Sequence, residues 1–434
     1  MTPDQVPATG PDDETAVVRA EKLIGGGRAL AHHDGETWMV AGALPGEVVS
    51  ARATRRRAGI VEAETVAIAG SSHADRDPDP CPHSDRCGGC DWPHIRPEAG
   101  SRLKALAAAD AARGQPALSE LLAEAPVTSS PLAYRLRARL HWDADSRKLG
   151  FFEVRSQTVT SIPACRILSP DLMAALPAMI ESLSRRCPQP VDLEWLQGSN
   201  PGDAVAGLRA AKGGPPRIDP SWIPDRNEFD GNVSGFHSLD RAGEIRGGWG
   251  ATAVVFDLPI PLTVPLGAFF QGNRHLIGTL FNRVGELAGN DGEPIYDLHA
   301  GVGFLAAATL SAGRRATFLV EPHRVAARAA ASNLPAAKVA VGRTAEDVVA
   351  NAVNLPEDAL VITDPPRTGL TRSLRRDLAT WRPHRVLMLG CDPATWARDA
   401  GFLLENGYRI RSVEFFDLFP STHHVEILAM LERA

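Results

Sequence analysis

The 434-residue sequence predicts a multidomain α/β protein with a small N-terminal β-barrel, a central α+β domain and a C-terminal Rossmann-like domain. Three observations support this prediction. The chain is longer than one hydrophobic core usually organises. Its first part consists of short apolar segments between turn sequences, whereas its last part alternates apolar strands with Gly-rich turns and helices. Between these two parts, three cysteines lie close together.

The domain boundaries are placed where the pattern changes. Residues 1–15 are rich in Pro, Gly, Asp and Thr without apolar periodicity, which predicts a disordered tail. Residues 16–72 contain apolar runs such as ETWMVAGAL and GIVEAETVAIA between GGG, DGE and PGE turns, as expected for an OB-like barrel. Residues 73–255 form the central domain with the cysteines. Residues 256–434 form the Rossmann-like domain, whose ligands should lie at the carboxyl ends of its strands.

The composition is that of an ordinary folded protein, with 44% hydrophobic and 23% charged residues. Because no apolar run could cross a bilayer and the start lacks the layout of a secretory signal, we expect a cytoplasmic protein without a membrane partner. The net charge of −6 does not by itself indicate nucleic-acid binding. In YRLRARLHW, Arg135, Arg137 and Arg139 would share one face of a strand, for which charge alone favours a solvated surface.

The Rossmann-like domain contains a candidate nucleotide site. In IYDLHAGVGFLAAATL, Asp297 ends an apolar strand, and Gly301 and Gly303 permit a tight turn that leaves room for a ligand at a helix start. The next strand ends in Glu321, an acid about 20 residues further on that could accept hydrogen bonds from ribose hydroxyls. A dinucleotide would fit this pair too. The rigid Asp-Pro-Pro loop at Asp364 favours a different cofactor, although an Asp before two prolines can simply form a turn.

Cys391 is a candidate nucleophile. It follows the apolar strand VLMLG and precedes a helix, so its sulfur should emerge at the carboxyl edge of the sheet, where the helix start would lower the thiol pKa. The alternative is a buried structural cysteine. Further on, Glu426 follows His423 and His424 and, taken alone, would be a surface acid on a terminal strand. Adjacent histidines on a strand face opposite sides, which argues against a shared metal.

The cysteine cluster indicates a metal site. Six cysteines are too few for a disulfide scaffold in a chain of this length, and Cys81, Cys87 and Cys90 lie within one short segment. Cys165, in SIPACRIL, could supply a fourth thiolate after folding. By count, four thiolates suit a four-iron cluster or a zinc ion almost equally. Cys187 is left without a role.

The segments FFQGN, DLHAGVG, DPPRTGL, GCDPATWARD and DLFPSTHHVE, in that order, resemble those of bacterial-type RNA 5-methyluridine (uracil-C5) methyltransferases. The resemblance extends from about residue 16 to the end of the chain. The N-terminal barrel resembles the TRAM domain of that family, and the cysteine spacing is similar to that of the iron–sulfur subgroup that methylates 23S rRNA. The resemblance therefore implies an S-adenosyl-L-methionine-dependent enzyme with an RNA substrate.

Matching the motifs position by position implies a role for each site residue. Cys391 would be the nucleophile, and Glu426 the base that takes the C5 proton. S-adenosyl-L-methionine would be contacted by Gln271, His299, Gly301, Gly303, Glu321 and Asp364. The resemblance favours a [4Fe-4S] cluster over zinc on Cys81, Cys87, Cys90 and Cys165.

Three positions depart from the family pattern. His299 stands where the family usually has an aromatic residue, and Ala300 where it often has Cys. Phe304 stands where some members have a polar residue that reaches the cofactor, so we leave it out of the site. These departures affect individual cofactor contacts rather than the class of cofactor.

The implied reaction transfers a methyl group to C5 of a uridine through a covalent adduct between Cys391 and C6. Uracil C5 is too weak a nucleophile without this addition, and the uridine must be unstacked to reach the pocket. We expect a monomer that acts on 23S rRNA, with tRNA as the alternative. A non-catalytic RNA-binding protein of this fold would be favoured by loss of Cys391 or Glu426, and both are present. An iron–sulfur redox protein would leave the Asp-Pro-Pro loop unexplained.

Overall fold

The computed structural model describes residues 14–229, 231–289, 292–312, 316–351 and 355–434. The predicted tail, residues 1–15, lies almost entirely outside these ranges, and the first strand begins at Thr15. Within them, no helix combines the length and the apolar character that crossing a membrane requires.

The N-terminal part forms one six-stranded sheet, which we call the N-terminal sheet. Along its strands buried and exposed side chains alternate, so one face supplies a core around Trp38, Val49 and Val61. The strand order is β1-β5-β6-β4-β3-β2. The strands are β1 Thr15–Arg19, β2 Lys22–Ile24, β3 Arg28–His33, β4 Glu36–Ala41, β5 Val48–Arg57 and β6 Ile60–Ile68.

The central part is a seven-stranded sheet of order β10-β9-β8-β11-β12-β13-β14, with helix α3 packed on it. Three of its strands lie where RARLHWDA, KLGFFEV and TVTSI predict extended chain. The elements from residue 97 to residue 250 are α1 Pro97–Ala111, α2 Pro116–Glu124, β7 Val127–Thr128, β8 Arg137–Asp143, β9 Lys148–Phe152, β10 Val159–Ser161, α3 Pro170–Arg186, β11 Val191–Gln197, β12 Ala204–Ala210, β13 Gly235–Leu239 and β14 Ile245–Gly250.

The C-terminal part alternates strands and helices as predicted and forms an eight-stranded sheet, which we call the C-terminal sheet. Its order is β19-β18-β17-β20-β21-β23-β22-β7, in which β23 runs antiparallel to β21 and β22. The elements are β15 Ala253–Phe256, β16 Leu262–Pro265, α4 Ile277–Ala288, β17 Ile295–Asp297, α5 Phe304–Ser311, β18 Ala316–Glu321, α6 Arg324–Asn333, β19 Lys338–Val341, α7 Ala345–Asn351, β20 Leu360–Thr363, α8 Arg372–Trp381, β21 Arg385–Gly390, α9 Pro393–Glu405, β22 Tyr408–Phe416 and β23 Glu426–Arg433.

Spatial neighbours do not follow chain order. Strand β7 pairs with β22 at the edge of the C-terminal sheet, and Leu118 and Leu122 of α2 share a buried core with Val386 and Trp396. Residues 97–128 therefore pack against the C-terminal sheet although they precede the whole central sheet in the chain. Through this burial, a segment from the first third of the chain packs against the last third.

A buried ion pair fixes this arrangement. The ammonium group of Lys104, on α1, lies 2.5 Å from Asp417, and both side chains are almost fully buried. Asp417 also accepts a hydrogen bond of 2.8 Å from the hydroxyl of Ser101, and Lys104 donates one of 2.9 Å to the carbonyl of Phe419. Residues 417–425 connect β22 to β23 and are called the 417–425 loop below. The ion pair therefore anchors the start of this loop to α1.

We predict that Lys104→Met destabilises the protein by about 3 kcal/mol, because it leaves the Asp417 carboxylate buried without a cation. The matched control is Lys22→Met, since Lys22 pairs with Asp110 through a side chain that is 42% exposed. That change should cost at most about 1 kcal/mol. Urea-induced unfolding monitored by circular dichroism compares the two variants. Equal losses in both would contradict the structural role of the Lys104 pair.

Candidate active site

The predicted site residues meet at one edge of the C-terminal sheet. Asp297 is the last residue of β17 and Glu321 the last of β18, while Asp364 and Cys391 directly follow β20 and β21. These four strands run parallel, so their carboxyl ends share an edge. Because β18 and β20 flank β17 on opposite sides, the strand order changes direction there. Ligands of such sheets usually bind just beyond that edge, in the region that we call the crevice.

The turn after β17 shapes the crevice. Gly301 and Gly303 have φ values of 54° and 93°, in the left-handed region that favours glycine. A Cβ atom on Gly303 would lie 2.9 Å from the side chain of Leu334, whereas one on Gly301 would meet nothing within 4 Å. Gly303 is therefore needed for packing, and the space beside Gly301 is open to a ligand. Phe304, which starts α5, packs against Phe270 and belongs to the core.

Glu321 is held in place by the backbone. One carboxylate oxygen accepts a hydrogen bond of 2.8 Å from the amide of Gly301, and the other accepts one of 2.6 Å from the amide of His323. Each carboxylate oxygen has a second lone pair, so hydroxyl groups of a bound ribose could still donate to it. The predicted role of Glu321 is compatible with this geometry.

Some of the buried polar atoms without a hydrogen-bond partner belong to the segments that form this edge. Most buried polar groups in proteins are paired, and an unpaired one costs about 1–3 kcal/mol. Such groups therefore mark places where a ligand can complete the hydrogen bonding. Within the described residues, the unpartnered atoms from these segments are Gln271 Oε1, Asp297 Oδ2, His299 Nδ1, Thr363 Oγ1 and Glu426 Oε2.

Gln271 and His299 approach the crevice from different sides. The residue before Gln271, Phe270, packs on Phe304 at the start of α5, and Asn273 donates a hydrogen bond of 2.9 Å to the carbonyl of Leu418. Gln271 thus lies between the Gly-rich turn and the 417–425 loop. Burial lowers the pKa of His299 to about 4, so its ring is neutral and can either donate or accept a hydrogen bond.

The register of two strands brings Cys391 and Glu426 together. In the antiparallel pair of β21 and β23, Gly390 stands opposite Ile427. The next position along each strand places Cys391 opposite Glu426. Glu426 is only 3% exposed, so its carboxyl group faces the interior rather than solvent. The interpretation of Glu426 as a surface acid is therefore wrong.

The thiol of Cys391 is not activated in the way the sequence suggests. Burial is the largest of the effects that raise its pKa to about 12; the charges of Glu426 and Asp364 act in the same direction, whereas Arg367 lowers the pKa. The expected lowering by the following helix is overcome because desolvation and two carboxylates disfavour the thiolate. The pKa of the Cys391 thiol is thus shifted in the direction opposite to the predicted one.

The acids around Cys391 favour their protonated forms. Burial raises the pKa of Asp297 to about 8 and that of Asp364 to about 7. Burial and the charge of Asp364 raise the pKa of Glu426 well above its usual value. Neighbouring buried carboxyl groups cannot all ionise, so protons are shared among them near neutral pH. Such a group can take up or release a proton during a reaction.

Sequence analysis missed Arg367. Its guanidinium lowers the pKa of both Cys391 and Glu426, and its carbonyl accepts a hydrogen bond of 3.0 Å from Thr395 at the start of α9. Its position directly after the two prolines that follow Asp364 is the feature of the sequence that could have identified it as a site residue. It is the cation that most directly favours ionisation of the candidate nucleophile and base.

The four predicted metal-binding cysteines line one cavity, beside apolar side chains that include Phe151 and Ile162. Cys81, Cys87, Cys90 and Cys165 all contribute to its wall. Within the described ranges, however, no three or more His, Cys, Asp or Glu residues converge closely enough to hold a metal ion. The cysteines thus surround a common space without meeting at one point.

Backbone groups shape the cysteine cavity. The amide of Gly89 donates to the sulfur of Cys87 at 3.4 Å, and the amides of Ile167 and Leu168 donate to that of Cys165. Gly88 donates a hydrogen bond of 2.8 Å to the carbonyl of Phe152. A Cβ atom on Gly88 would lie 2.8 Å from that carbonyl oxygen, so a side chain there would push the cysteine segment away from β9.

The basic residues of the central sheet line a cleft. Arg135, Arg137 and Arg139 share it with residues 194–196 and 266–268. Glu194 pairs with Arg139 at 2.8 Å and with Arg209 at 3.0 Å. The guanidinium of Arg137 lies 5.6 Å from the ring centre of Phe269, which is 58% exposed. The cleft therefore holds more positive than negative charge and an exposed aromatic ring, features that suit a nucleic-acid strand.

The basic run in β5 is different. Arg52 pairs with Glu64, Arg55 with Glu62, and Arg56 with Glu14 and Glu36. These pairs neutralise most of the local positive charge on the N-terminal sheet. The β5 arginines thus resemble the solvated, paired surface that charge alone suggested.

We predict that Cys391 is alkylated slowly by iodoacetamide near neutral pH and that its rate rises about tenfold per pH unit below its pKa. Glu426→Gln should accelerate alkylation between about pH 8 and pH 10, because removing the Glu426 charge lowers the thiol pKa. Mass spectrometry of the Cys391 peptide measures the rate. Cys187, whose pKa is raised by burial, serves as the internal control and should not respond. Equal Cys391 rates in both proteins would contradict the electrostatic coupling.

Comparisons with known proteins agree with this arrangement. A family model described as tRNA (Uracil-5-)-methyltransferase matches residues 345–434, which include Asp364, Cys391 and Glu426. The 23S rRNA (uracil(1939)-C(5))-methyltransferase RlmD of Pseudomonas fluorescens strain Pf0-1 is 31% identical over 431 residues, covering 95% of this chain and 90% of that protein. A protein of Streptomyces avermitilis described as an uncharacterized RNA methyltransferase is 31% identical, covering 94% of this chain and 96% of its own.

A solved structure shares the fold. The crystal structure of the Pyrococcus abyssi tRNA (uracil-54, C5)-methyltransferase in complex with S-adenosyl-L-homocysteine matches with a TM-score of 0.74 at 22% identity, covering 96% of this chain and 99% of that one. The likeness confirms the predicted multidomain α/β class. Together with the sequence identity to the Pseudomonas protein over almost the whole chain, it leads to one conclusion: the chain belongs to the family of S-adenosylmethionine-dependent RNA (uracil-C5)-methyltransferases.

Proposed function

We propose that this protein methylates C5 of one uridine in 23S rRNA, with Cys391 as the nucleophile and Glu426 as the base. The observation that carries the proposal is the register that places Cys391 opposite Glu426 beside a crevice with unpartnered polar atoms. Both groups adjoin the positions where the parallel strands end, so a uracil and a methyl donor could bind side by side.

The crevice suits S-adenosylmethionine, which supplies a methyl group on a sulfonium centre. Glu321 would accept hydrogen bonds from the ribose hydroxyls, next to the turn of Gly301 and Gly303. The neutral ring of His299 would lie beside this turn. Gln271 and Asp364 would contact the donor on the side facing Cys391, since both carry groups at that end of the crevice. The unpartnered atom of Gln271 and the open space at Gly301 support this assignment.

The chemistry follows from the groups around Cys391. The Cys391 thiolate adds to uracil C6, forming a C–S bond and leaving an enolate. Carbon C5 of the enolate would attack the methyl group, whose bond to the sulfonium sulfur breaks and releases S-adenosylhomocysteine. Glu426 then takes the proton from C5, and the electrons of that C–H bond re-form the C5–C6 double bond as the thiolate leaves. In the resting site burial favours neutral Cys391 and Glu426. Arg367 favours the ionised form of both, which the reaction requires.

The RNA would reach this site through the basic cleft. Uracil C6 is accessible to a thiolate only when the nucleotide leaves its stack. Arg135, Arg137 and Arg139 can bind phosphates, and the exposed ring of Phe269 can stack on a base. We assign residues 16–72 as a TRAM-like RNA-binding domain, residues 73–255 as the cluster-bearing central region and residues 256–434 as the methyltransferase domain, on which residues 97–128 of the central region pack.

The choice of 23S rRNA rests on relatives and on the cysteines. The Pseudomonas relative is named for 23S rRNA and the Pyrococcus structure for tRNA. The sequence identity to the Pseudomonas relative is higher than the identity to the Pyrococcus protein. The cysteine spacing also resembles that of the iron–sulfur subgroup that methylates 23S rRNA. We therefore propose 23S rRNA, with tRNA as the alternative. We also propose that the protein acts as a monomer in the cytoplasm, where its thiols stay reduced.

We propose that Cys81, Cys87, Cys90 and Cys165 hold a [4Fe-4S] cluster. All four line one cavity, and backbone amides point at two of the sulfurs, which is the usual environment of iron–sulfur ligands. By count, four thiolates suit a four-iron cluster or a zinc ion almost equally. The resemblance of the cysteine spacing to that of the iron–sulfur subgroup is what favours the cluster. The cluster would serve structure or RNA binding, because the methyl donor has its own site.

We predict that the wild-type protein transfers label from methyl-labelled S-adenosylmethionine to unmodified 23S rRNA and that nucleoside digestion yields labelled 5-methyluridine. Cys391→Ala should give none, because no C–S bond can form. Glu426→Gln should accumulate a covalent protein–RNA complex on denaturing gels, because the C5 proton stays in place. Cys187→Ala, a change outside the site, is the control and should retain activity.

Two outcomes of this experiment would contradict the proposal. Labelled 5-methyluridine from Cys391→Ala would exclude the covalent route. Failure of the wild-type protein to label 23S rRNA or tRNA, although it binds donor and RNA, would favour a non-catalytic RNA-binding protein. Label in tRNA alone would establish the alternative substrate.

We predict that Cys165→Ser protein purified without oxygen loses most of its iron and inorganic sulfide, because one cluster ligand is missing. Cys187→Ser is the matched control, since Cys187 is a buried cysteine outside the cavity. Metal and sulfide analysis with visible absorption spectra compares the variants. Stoichiometric zinc without sulfide in the wild type, or equal iron in both variants, would refute the [4Fe-4S] assignment.

A further inference from the structure

The 417–425 loop leads directly into the proposed base. Glu426 is the first residue of β23, so the backbone on its N-terminal side belongs to the loop. The beginning of the loop is anchored by the ion pair of Asp417 with Lys104. Its end, near His423, is held by a separate set of contacts that involve parts of the chain more than 300 residues away.

The first of these contacts comes from the cysteine segment. Asp91, the residue after Cys90, accepts a hydrogen bond of 2.9 Å from the amide of His423 through one carboxylate oxygen, and its other oxygen bonds Nδ1 of the His423 ring. The amide of Trp92 donates a hydrogen bond of 2.9 Å to the carbonyl of Ser421. Two consecutive residues of the cysteine segment thus bind two residues of the loop.

Ser421 shows why the loop needs this support. Its φ is 65°, a left-handed conformation that is unfavourable for a residue with a side chain. Such a conformation persists only where surrounding contacts over-determine it. The hydrogen bond from Trp92 is one such contact, and Ser421 also lines the cysteine cavity.

The second contact comes from the N-terminal sheet. The indole of Trp92 donates a hydrogen bond of 2.7 Å to the carbonyl of Gly27, in the turn between β2 and β3. A Cβ atom on Gly27 would lie 2.7 Å from Cβ of His423 and 2.8 Å from the indole nitrogen of Trp92. The turn therefore touches both the cysteine segment and the loop. We call the contact of Gly27, Asp91, Trp92, Ser421 and His423 the three-segment junction.

We infer that the three-segment junction positions the catalytic base, with Asp91 and Gly27 as positioning residues for proton removal from C5. The inference rests on the proposed role of Glu426. His423 lies three residues before Glu426, and Val425 between them is fully buried, so a shift at His423 is passed to the Glu426 carboxyl group. Through this junction, the N-terminal sheet and the cysteine segment set the geometry of a step carried out on the C-terminal sheet.

A change in the three-segment junction should affect one step of the reaction, the removal of the C5 proton. Glu321, at the end of β18, and Gly301, in the turn after β17, are assigned to donor binding and are hydrogen-bonded to each other rather than to residues of the junction. Disturbing the junction should therefore leave donor binding unchanged and slow the removal of the C5 proton. The covalent protein–RNA complex that precedes this step should accumulate, as it should in Glu426→Gln.

The closing experiment uses a matched glycine pair and a matched acid pair in the full-length protein. Gly27→Ala and Gly26→Ala both place a side chain at positive φ, 75° and 79°, but a Cβ atom on Gly26 would meet nothing within 4 Å. Asp91→Ala removes both bonds to His423. Asp91→Asn keeps an oxygen that accepts from the His423 amide and gains an N–H that can donate to Nδ1 of the His423 ring.

We expect Gly27→Ala and Asp91→Ala to lower kcat between about tenfold and a hundredfold, because a small displacement of a catalytic group has effects of this size. Both should accumulate the covalent complex on denaturing gels without a change in the Kd for S-adenosylmethionine. Gly26→Ala should behave as wild type, and Asp91→Asn should recover most of the lost rate. Circular dichroism and metal analysis of all variants accompany these measurements.

The outcomes separate this inference from the proposed function. If Glu426→Gln traps the complex but Gly27→Ala and Asp91→Ala react as fast as Gly26→Ala, the positioning role is wrong and the proposed mechanism stands. Loss of activity with weakened donor binding or lost metal, and no trapped complex, would reveal a merely structural role and overturn the inference. If Glu426→Gln traps nothing, the proposed role of Glu426 fails and this inference falls with it.

Discussion

The site depends on one strand register, the antiparallel pairing of β21 with β23. This pairing sets Gly390 opposite Ile427 and hence Cys391 opposite Glu426. Because side chains alternate along a strand, a slip of one residue would turn Glu426 to the opposite face of the sheet, away from Cys391. The first six residues of β23 are buried on both faces, so such a slip would also disrupt the packing on each of them.

Several acidic groups lie at this edge of the C-terminal sheet, and burial disfavours their ionised forms. Asp297, Asp364 and Glu426 all have raised pKa values, and Cys391 is held as a neutral thiol. Unpaired buried carboxyl groups oppose folding, so the surrounding structure must supply the compensating stability. The large hydrophobic cores of the C-terminal sheet provide it. Arg367 gives the site a cation that favours the reactive ionised forms.

Much of the backbone framework of the candidate site was predictable from local sequence. The strands that end in Asp297 and Glu321, the turn of Gly301 and Gly303 and the helix after Cys391 follow from apolar runs, glycines and a Pro-started helix, which are local signals. The thiol pKa of Cys391 was predicted in the wrong direction, because the effect of a helix start is local whereas its neighbours Glu426 and Asp364 are brought close only by folding. The burial of Glu426 escaped prediction for the same reason.

Local sequence patterns were sufficient to predict the fold class, the alternation of strands and helices in the C-terminal part, the strand ends that form the crevice and, through the motifs, the chemical class of the site. Which segments contact each other became clear only from the folded chain. Folding placed α1, α2 and β7 on the C-terminal sheet, gathered four separated cysteines around one cavity and joined Gly27, Asp91 and His423 in one junction. The physical reason is that periodicity and turn chemistry act over a few residues, whereas ionisation, burial and loop position depend on contacts between residues hundreds of positions apart.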